Sequence, residues 1–197
     1  MKTLLLVFGL GLIAAMQAQT LPAVEEDQDV SGTWYLKAVA SDKGIPGKML
    51  GSVSVTPMTV KILEEGSLEI KFTARISGQC WKITTVLEKT DEPGKYTAYG
   101  GRQVVHIIKS DVEDHYILYG VGKLAGHQIQ MAKLVGRDPE INQEALKDFK
   151  EFSGFTGLDS ENMIIPQQRG QGAYGSEAAL DTVLNLCPED HGKSPFL

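Results

Sequence analysis

Residues 67–77, SLEIKFTARIS, decide the fold, because apolar and polar side chains alternate through the stretch without a break. A period of two residues places one set of side chains on a buried face of a β-strand and the other set in water. The turn residues Gly78 and Gln79 follow at once, and residues 80–89 form a second strand-like stretch. The pair predicts neighbouring antiparallel strands with one face in a core.

The same pattern extends over residues 30–137 and predicts eight strands. They cover residues 32–40, 52–63, 67–77, 80–89, 95–100, 103–109, 115–121 and 128–136. Most links are short turns, whereas the link 41–51 is long enough to lie over an opening as a lid. Eight up-and-down strands close into a barrel of the size that holds one small ligand. A two-sheet sandwich is the alternative, but it favours crossing connections, and only one long link is present.

After residue 137 the period changes to that of a helix. Asp138 is the predicted N-cap, Pro139 the first helical residue, and the helix ends near Gly154, with an apolar stripe of Leu146, Phe149 and Phe152. The predicted fold is therefore all-β: an eight-stranded antiparallel up-and-down barrel with one C-terminal α-helix packed outside. Residues 162–166 are predicted to add a short strand and residues 176–186 a second helix.

The N-terminus reads as a secretory leader. Lys2 precedes an apolar stretch over residues 4–15, and a cleavage point follows Ala18. The apolar stretch is too short to span a bilayer, so we expect an exported protein without stable membrane insertion. The predicted organisation is a signal peptide (1–18), a barrel domain (19–168) and a C-terminal tail (169–197), partly helical or disordered. The net charge of −6 argues against nucleic acid as a partner.

Two cysteines, Cys80 and Cys187, in a chain bound for an oxidising compartment indicate one long-range disulfide. No metal site is predicted, because the four histidines are scattered and neither cysteine has a neighbour at ligand spacing. Residues 170–175 match the G-x-G-x-x-G spacing of nucleotide sites, but no βαβ unit surrounds them. We therefore expect no cofactor.

Three separated motifs carry a family resemblance: Gly32-Thr33-Trp34, Asp114-His115-Tyr116 and Gly136-Arg137. Together they resemble the lipocalins. The likeness is greatest to the tear lipocalin or von Ebner's gland protein group and its odorant-binding relatives, through the stretches SGTWYLKA, SVTPMT, LEKTDEPGKYTAYGG, DHYILY and KLVGRDPE. The resemblance implies a disulfide from Cys80 to the tail, although Cys187 lies further along the chain than its counterpart in that group.

Gly32, Trp34 and Arg137 are predicted to be structural. The Trp34 indole is expected to plug one end of the barrel, and Gly32 allows the chain to bend there. The planar Arg137 guanidinium can then lie on the indole and donate to nearby backbone.

Alternation along the strands predicts the side chains that line the interior. The candidate ligand-binding residues are Leu36, Met58, Val60, Phe72, Ala74, Ile76, Ile83, Tyr116, Leu118, Met131 and Lys133. By the same rule Ala38, Leu87, Ile129 and Val135 face inward. Lys133 stands out, because a lysine in an apolar cup must keep water, find a carboxylate or lose its proton. Resemblance to the tear lipocalins implies that it stabilises a fatty-acid carboxylate, and the alternative is that it extends to solvent at the rim.

These observations predict a secreted, extracellular carrier of small hydrophobic ligands such as fatty acids, odorants and pheromone-like molecules. An enzyme is not expected: prostaglandin-synthesising lipocalins use a cysteine inside the barrel, whereas the second strand here has none. The alternative function is a secreted interaction protein, such as a cysteine-protease inhibitor acting through residues 21–30. A cell-surface receptor is a further candidate partner, and the chain is expected to be a monomer or a weak dimer.

Overall fold

The computed structural model describes residues 29–42, 53–124, 127–161 and 163–169. Its strands are β1 (Gly32–Ser41), β2 (Val53–Val55), β3 (Met58–Ile62), β4 (Leu68–Ile76), β5 (Gln79–Lys89), β6 (Lys95–Ala98), β7 (Gln103–Lys109), β8 (His115–Leu124), β9 (His127–Gly136) and β10 (Gln167–Gln168), with one α-helix, α1 (Gln143–Phe155). Several predicted segments lie outside the described residues: the leader, the second helix at 176–186, and most of the long link 41–51 and of the tail.

The strands close into a barrel. Neighbours pair in the order β2, β4, β3, β1, β9, β8, β7, β6, β5, and a further pairing of β5 with β4 joins the two ends. All of these pairings are antiparallel, and only the short β10 runs parallel to its partner, β2. Because β2 and β3 share one neighbour, β4, they serve as a single strand of an eight-stranded barrel. The predicted fold class, including one helix outside the barrel, is confirmed.

The predicted second strand is interrupted at Thr56 and Pro57, which separate β2 from β3. Proline has no N–H to give to a ladder. Thr56 maintains the contact with β4 on both sides, since its N–H donates to the Thr73 carbonyl oxygen at 2.9 Å and its Oγ1 accepts from the Thr73 N–H at 2.9 Å. The strand bends here without leaving β4.

A bulge in β1 reverses its alternation. Leu36 and Ala38 oppose consecutive residues of β9, so Lys37 is an extra residue in the ladder. As a result, Leu36 and Val39 pack in the interior cluster, whereas Ala38 packs in the outer cluster under α1. The prediction that Ala38 shares the interior face with Leu36 is wrong for this reason.

The helix begins later than predicted. Asn142 caps it, accepting from the backbone N–H groups of Glu144 at 2.9 Å and Ala145 at 3.0 Å. Asp138 is not the cap; its carboxylate instead accepts from the Glu140 N–H at 2.7 Å and holds a tight turn. The largest side chain that α1 buries completely is Phe149, which packs against the barrel over the small side chains Ala38, Ala40 and Ala132.

The short strand expected at 162–166 is displaced towards the C-terminus. Ile164 makes a single bridge with Val39, and the paired residues of β10 are Gln167 and Gln168. The Gln168 side chain donates to the Leu36 carbonyl oxygen at 2.6 Å, which fastens this segment to β1.

Candidate functional site

One end of the barrel is closed around Trp34. The Arg137 guanidinium carbon lies 3.9 Å from the centroid of the indole. Its two terminal nitrogens donate to the carbonyl oxygens of Thr33 at 3.2 Å and Asp29 at 3.1 Å. The indole N–H donates to the Val30 carbonyl oxygen at 2.8 Å. Stacking and hydrogen bonds thus fix both side chains and seal the end with protein atoms.

Gly32 and Tyr116 complete this end. Gly32 has φ of +100°, and a Cβ there would stand 3.0 Å from an Arg137 nitrogen, so a side chain is disfavoured by both conformation and space. The Tyr116 ring meets Trp34 edge to face, with centroids 5.3 Å apart, and burial raises the pKa of its phenol. Tyr116, a predicted ligand contact, therefore packs on the end plug.

A cavity of about 80 Å³ lies inside the barrel. It is lined by Leu36, Met58, Ile70, Phe72, Thr85, Leu87, Tyr99, Gln103, Val105, Leu118, Gly120, Met131, Lys133 and Val135. This volume exceeds the roughly 10–15 Å³ that a cavity needs to admit one water. Sites for drug-sized ligands are larger, about 300–1,000 Å³. A larger ligand would therefore need side chains to repack, and the unbranched Met58 and Met131 are suited to that.

Six of the eleven predicted ligand-binding residues line the cavity: Leu36, Met58, Phe72, Leu118, Met131 and Lys133. Besides Tyr116, the other four do not: Val60 and Ala74 are buried in the interior cluster, and Ile76 and Ile83 pack against it. Of the wider inward-facing set, Leu87 and Val135 line the cavity and Ile129 does not.

Sequence reasoning missed six lining residues: Ile70, Thr85, Tyr99, Gln103, Val105 and Gly120. Ile70 has the same parity as Phe72, and Thr85 as Leu87, so the alternation rule could have found both. Tyr99 lies in the turn between β6 and β7, where no periodicity applies. Gly120 contributes by lacking a side chain, which a search for apolar residues does not detect.

Of the described residues that line the cavity, Lys133 is the one with a charged side chain. It retains some accessible surface because it borders the empty space, yet it lies deep among protein atoms. Burial lowers the pKa of its amine, and no described charged group counters that effect. Its Nζ has no hydrogen-bond or ion-pair partner among the residues that the structure describes. An ammonium here would favour an anionic ligand group.

A second buried lysine, Lys37, was not predicted. The β1 bulge turns it away from the cavity, and only 2% of it is exposed. Its Nζ donates to the Glu140 carbonyl oxygen at 2.6 Å and to the Asp138 carbonyl oxygen. Burial lowers the pKa of this amine, while the Asp138 and Glu140 charges act in the opposite direction. Because two of its donors are used in this way, Lys37 is a structural residue that holds the 138–140 turn outside α1.

Within the described part of the chain, no group of three or more His, Cys, Asp or Glu residues is placed to hold a metal ion. Cys80 is disulfide-bonded, and its predicted partner, Cys187, lies outside the described residues, so the Cys80–Cys187 pairing stays a prediction. Among the helices of the described residues, none is long and apolar enough to cross a membrane.

Comparison with known proteins agrees with the closed barrel. A family model described as the lipocalin / cytosolic fatty-acid binding protein family matches residues 31–170. The chain belongs to this family. This lipocalin is 62% identical to von Ebner gland protein 1 of Rattus norvegicus over 176 residues, covering 89% of this chain and 99% of that one. It is 56% identical to the major allergen Can f 1 of Canis lupus familiaris over 168 residues, covering 85% and 95%.

A third relative is odorant-binding protein 2a of Mus musculus, 40% identical over 169 residues, covering 85% of this lipocalin and 95% of the relative. Among solved structures, the siderocalin Ex-FABP superposes with a TM-score of 0.62 at 22% identity, covering 71% of this chain and 95% of that chain, which supports the fold. The resemblance predicted from three motifs is thus confirmed. As a lipocalin with these relatives, the protein is a carrier of small hydrophobic ligands.

Proposed function

We propose that this lipocalin is a secreted, non-enzymatic carrier that binds fatty acids, odorants and pheromone-like molecules inside its barrel. Export is supported by the leader-like residues 1–18 and by a relative named vomeronasal secretory protein 1 of Mus musculus, 40% identical over 169 residues. The odorant class is supported by the odorant-binding relative. The proposal includes no catalytic step.

The observation that carries the ligand class is Lys133 in an otherwise largely apolar cavity. An ammonium without a charged partner is destabilised by burial, and a ligand carboxylate would relieve that cost by a charge-assisted hydrogen bond. The ligand's hydrocarbon chain would then lie along Leu36, Phe72 and Leu118. An amphiphile with an anionic head and an apolar chain satisfies both parts of the cavity.

The test compares dodecanoate with dodecanol, because the two share a chain and differ in the head group. Replacement of Lys133 (Lys133→Met) should weaken dodecanoate binding roughly ten- to 100-fold, the worth of a hydrogen bond to a charged group, and leave dodecanol binding nearly unchanged. Isothermal titration calorimetry gives both constants. Lys82→Met, on an exposed position of β5, is the matched control. An equal loss for both ligands, or no loss, would contradict the head-group role.

The proposed assembly is a monomer or weak dimer, and a cell-surface receptor is the candidate partner. Sedimentation at micromolar protein concentration measures the oligomeric state.

The protease-inhibitor alternative depends on residues 21–30. Of these, Asp29 and Val30 are described, and both give carbonyl oxygens to the Trp34 plug. No observation on the described residues favours inhibition, so carriage is the single function proposed.

A further inference from the structure

A pair of hydroxyl groups forms a second polar point in the cavity. Thr85 Oγ1 and Tyr99 Oη are 3.1 Å apart, and both residues are half-buried and line the cavity. Between them, two hydroxyls have two donors and four acceptor sites, and their mutual bond uses one of each. Neither hydroxyl has a second partner among the described residues. One O–H and several lone pairs therefore remain for a guest.

This pair faces Lys133 from the opposite wall. Around the closed barrel, β9, which carries Lys133, is four strands from β5, which carries Thr85, whichever way the strands are counted. Tyr99 follows β6, the neighbour of β5. The walls between the two polar points are largely apolar, so a bound chain that starts at Lys133 passes over hydrocarbon before it reaches the hydroxyls.

Gln103 adds an amide between the two walls. It begins β7, and its side chain occupies the space that Gly120 leaves on β8: a Cβ on Gly120 would stand 2.7 Å from Gln103 Nε2. The amide has no hydrogen-bond partner among the described residues. We call Thr85, Tyr99 and Gln103 the distal polar group.

We propose that the distal polar group selects ligands that carry a hydroxyl on the chain in addition to the anionic head, that is, hydroxy fatty acids over unsubstituted ones. This inference rests on the proposed function, because it assumes that the head group lies at Lys133. A chain hydroxyl can accept from the free O–H of the pair or donate to its lone pairs, and the Gln103 amide can add a second hydrogen bond to a hydroxyl that the pair holds.

The expected preference is modest. Thr85 and Tyr99 already bond to each other when no ligand hydroxyl is present, so an unsubstituted chain leaves one O–H of the pair unpaired rather than two and is still bound. One added neutral hydrogen bond corresponds to roughly a two- to tenfold gain in affinity. Only a hydroxyl at the right distance from the carboxylate should gain it.

The test is calorimetry with dodecanoate and a series of monohydroxydodecanoates that differ in hydroxyl position. The wild-type protein should bind one isomer, or two adjacent ones, about two- to tenfold more tightly than dodecanoate. The double variant Thr85→Val/Tyr99→Phe should abolish that preference, so that the hydroxylated isomers and dodecanoate are bound with about equal affinity. Thr84→Val, the same change on the exposed neighbouring residue of β5, should preserve the preference.

Three outcomes would overturn the inference. They are no isomer preferred by the wild type, a preference that survives in the double variant, or a preference lost equally in Thr84→Val. If circular dichroism shows that the double variant is unfolded, the single variants Thr85→Val and Tyr99→Phe replace it, and loss of the preference in them is the expected result. Failure of the carrier proposal is distinguishable, since then dodecanoate binding would be absent or independent of Lys133.

Discussion

The Trp34 plug makes a quantitative prediction at Gly32. Replacement by alanine introduces two costs. A non-glycine residue at positive φ loses about 1–2 kcal/mol of conformational energy. The new Cβ would also stand 3.0 Å from an Arg137 nitrogen and displace the guanidinium from the indole and from its two carbonyl acceptors. With a partly exposed cation–π contact at about 0.5–1 kcal/mol and weakened hydrogen bonds, the second cost is about 1–2 kcal/mol.

Gly32→Ala should therefore lower the free energy of unfolding by about 2–4 kcal/mol, measured by urea denaturation. Gly78→Ala is the matched control, because Gly78 has φ of +85° and nothing lies within 4 Å of the position that its new Cβ would take, so it carries the conformational cost alone. In an Arg137→Met background, the excess cost of Gly32→Ala over Gly78→Ala should disappear. Equal costs for the two glycines in the wild-type background would show that Arg137 does not limit the space at residue 32.

Three further perturbations follow from the packing and charges. Phe149→Ala should lower the free energy of unfolding by about 3–5 kcal/mol, whereas Phe155→Ala on the same helix, 74% exposed, should change it by less than about 0.5 kcal/mol; similar values in urea denaturation would contradict the placement of α1. Lys37→Met should lower it by about 1–3 kcal/mol, because the Asp138 and Glu140 carbonyl oxygens lose their donor, and a neutral result would show that Lys37 does not hold the turn. Lys133→Met should raise the free energy of unfolding of the ligand-free protein by roughly 1–3 kcal/mol, because a buried charge is removed. Burial lowers the pKa of native Lys133 below its unfolded value of about 10.4. At pH values between the native and the unfolded pKa, the native state binds fewer protons than the unfolded state, so the stability of the wild type rises with pH. The stability advantage of Lys133→Met therefore shrinks towards zero over this pH range. An advantage that does not depend on pH would argue against a desolvated amine.

Local alternation predicted the barrel strands well because a β-strand repeats every two residues whatever its partners are. The rule failed at Ala38, where one extra residue, Lys37, reversed the faces of β1. The prediction of the helix start also failed, because Asp138 and Pro139 have the chemistry of a helix start. There, contacts from Lys37, about a hundred residues earlier in the chain, hold the backbone in a turn.

The cavity was predicted less completely for a related reason. Parity shows that a side chain points inward, but whether it reaches empty space depends on how far along the barrel it lies. Tyr116 points inward and meets the Trp34 plug, whereas Leu118, two residues later, borders the cavity. The parts of the cavity wall that come from the Tyr99 turn and from the missing side chain of Gly120 can be recognised only in the assembled barrel.

The position of the ligand inside the barrel is measured by intermolecular nuclear Overhauser effects from isotope-labelled dodecanoate to the protein's methyl groups. We predict contacts from the chain to the methyl groups of Met58, Leu118 and Met131, all of which line the cavity. Contacts confined to exposed outer methyl groups such as those of Ile141 and Ile165, with none to those three, would show that the ligand binds outside the barrel.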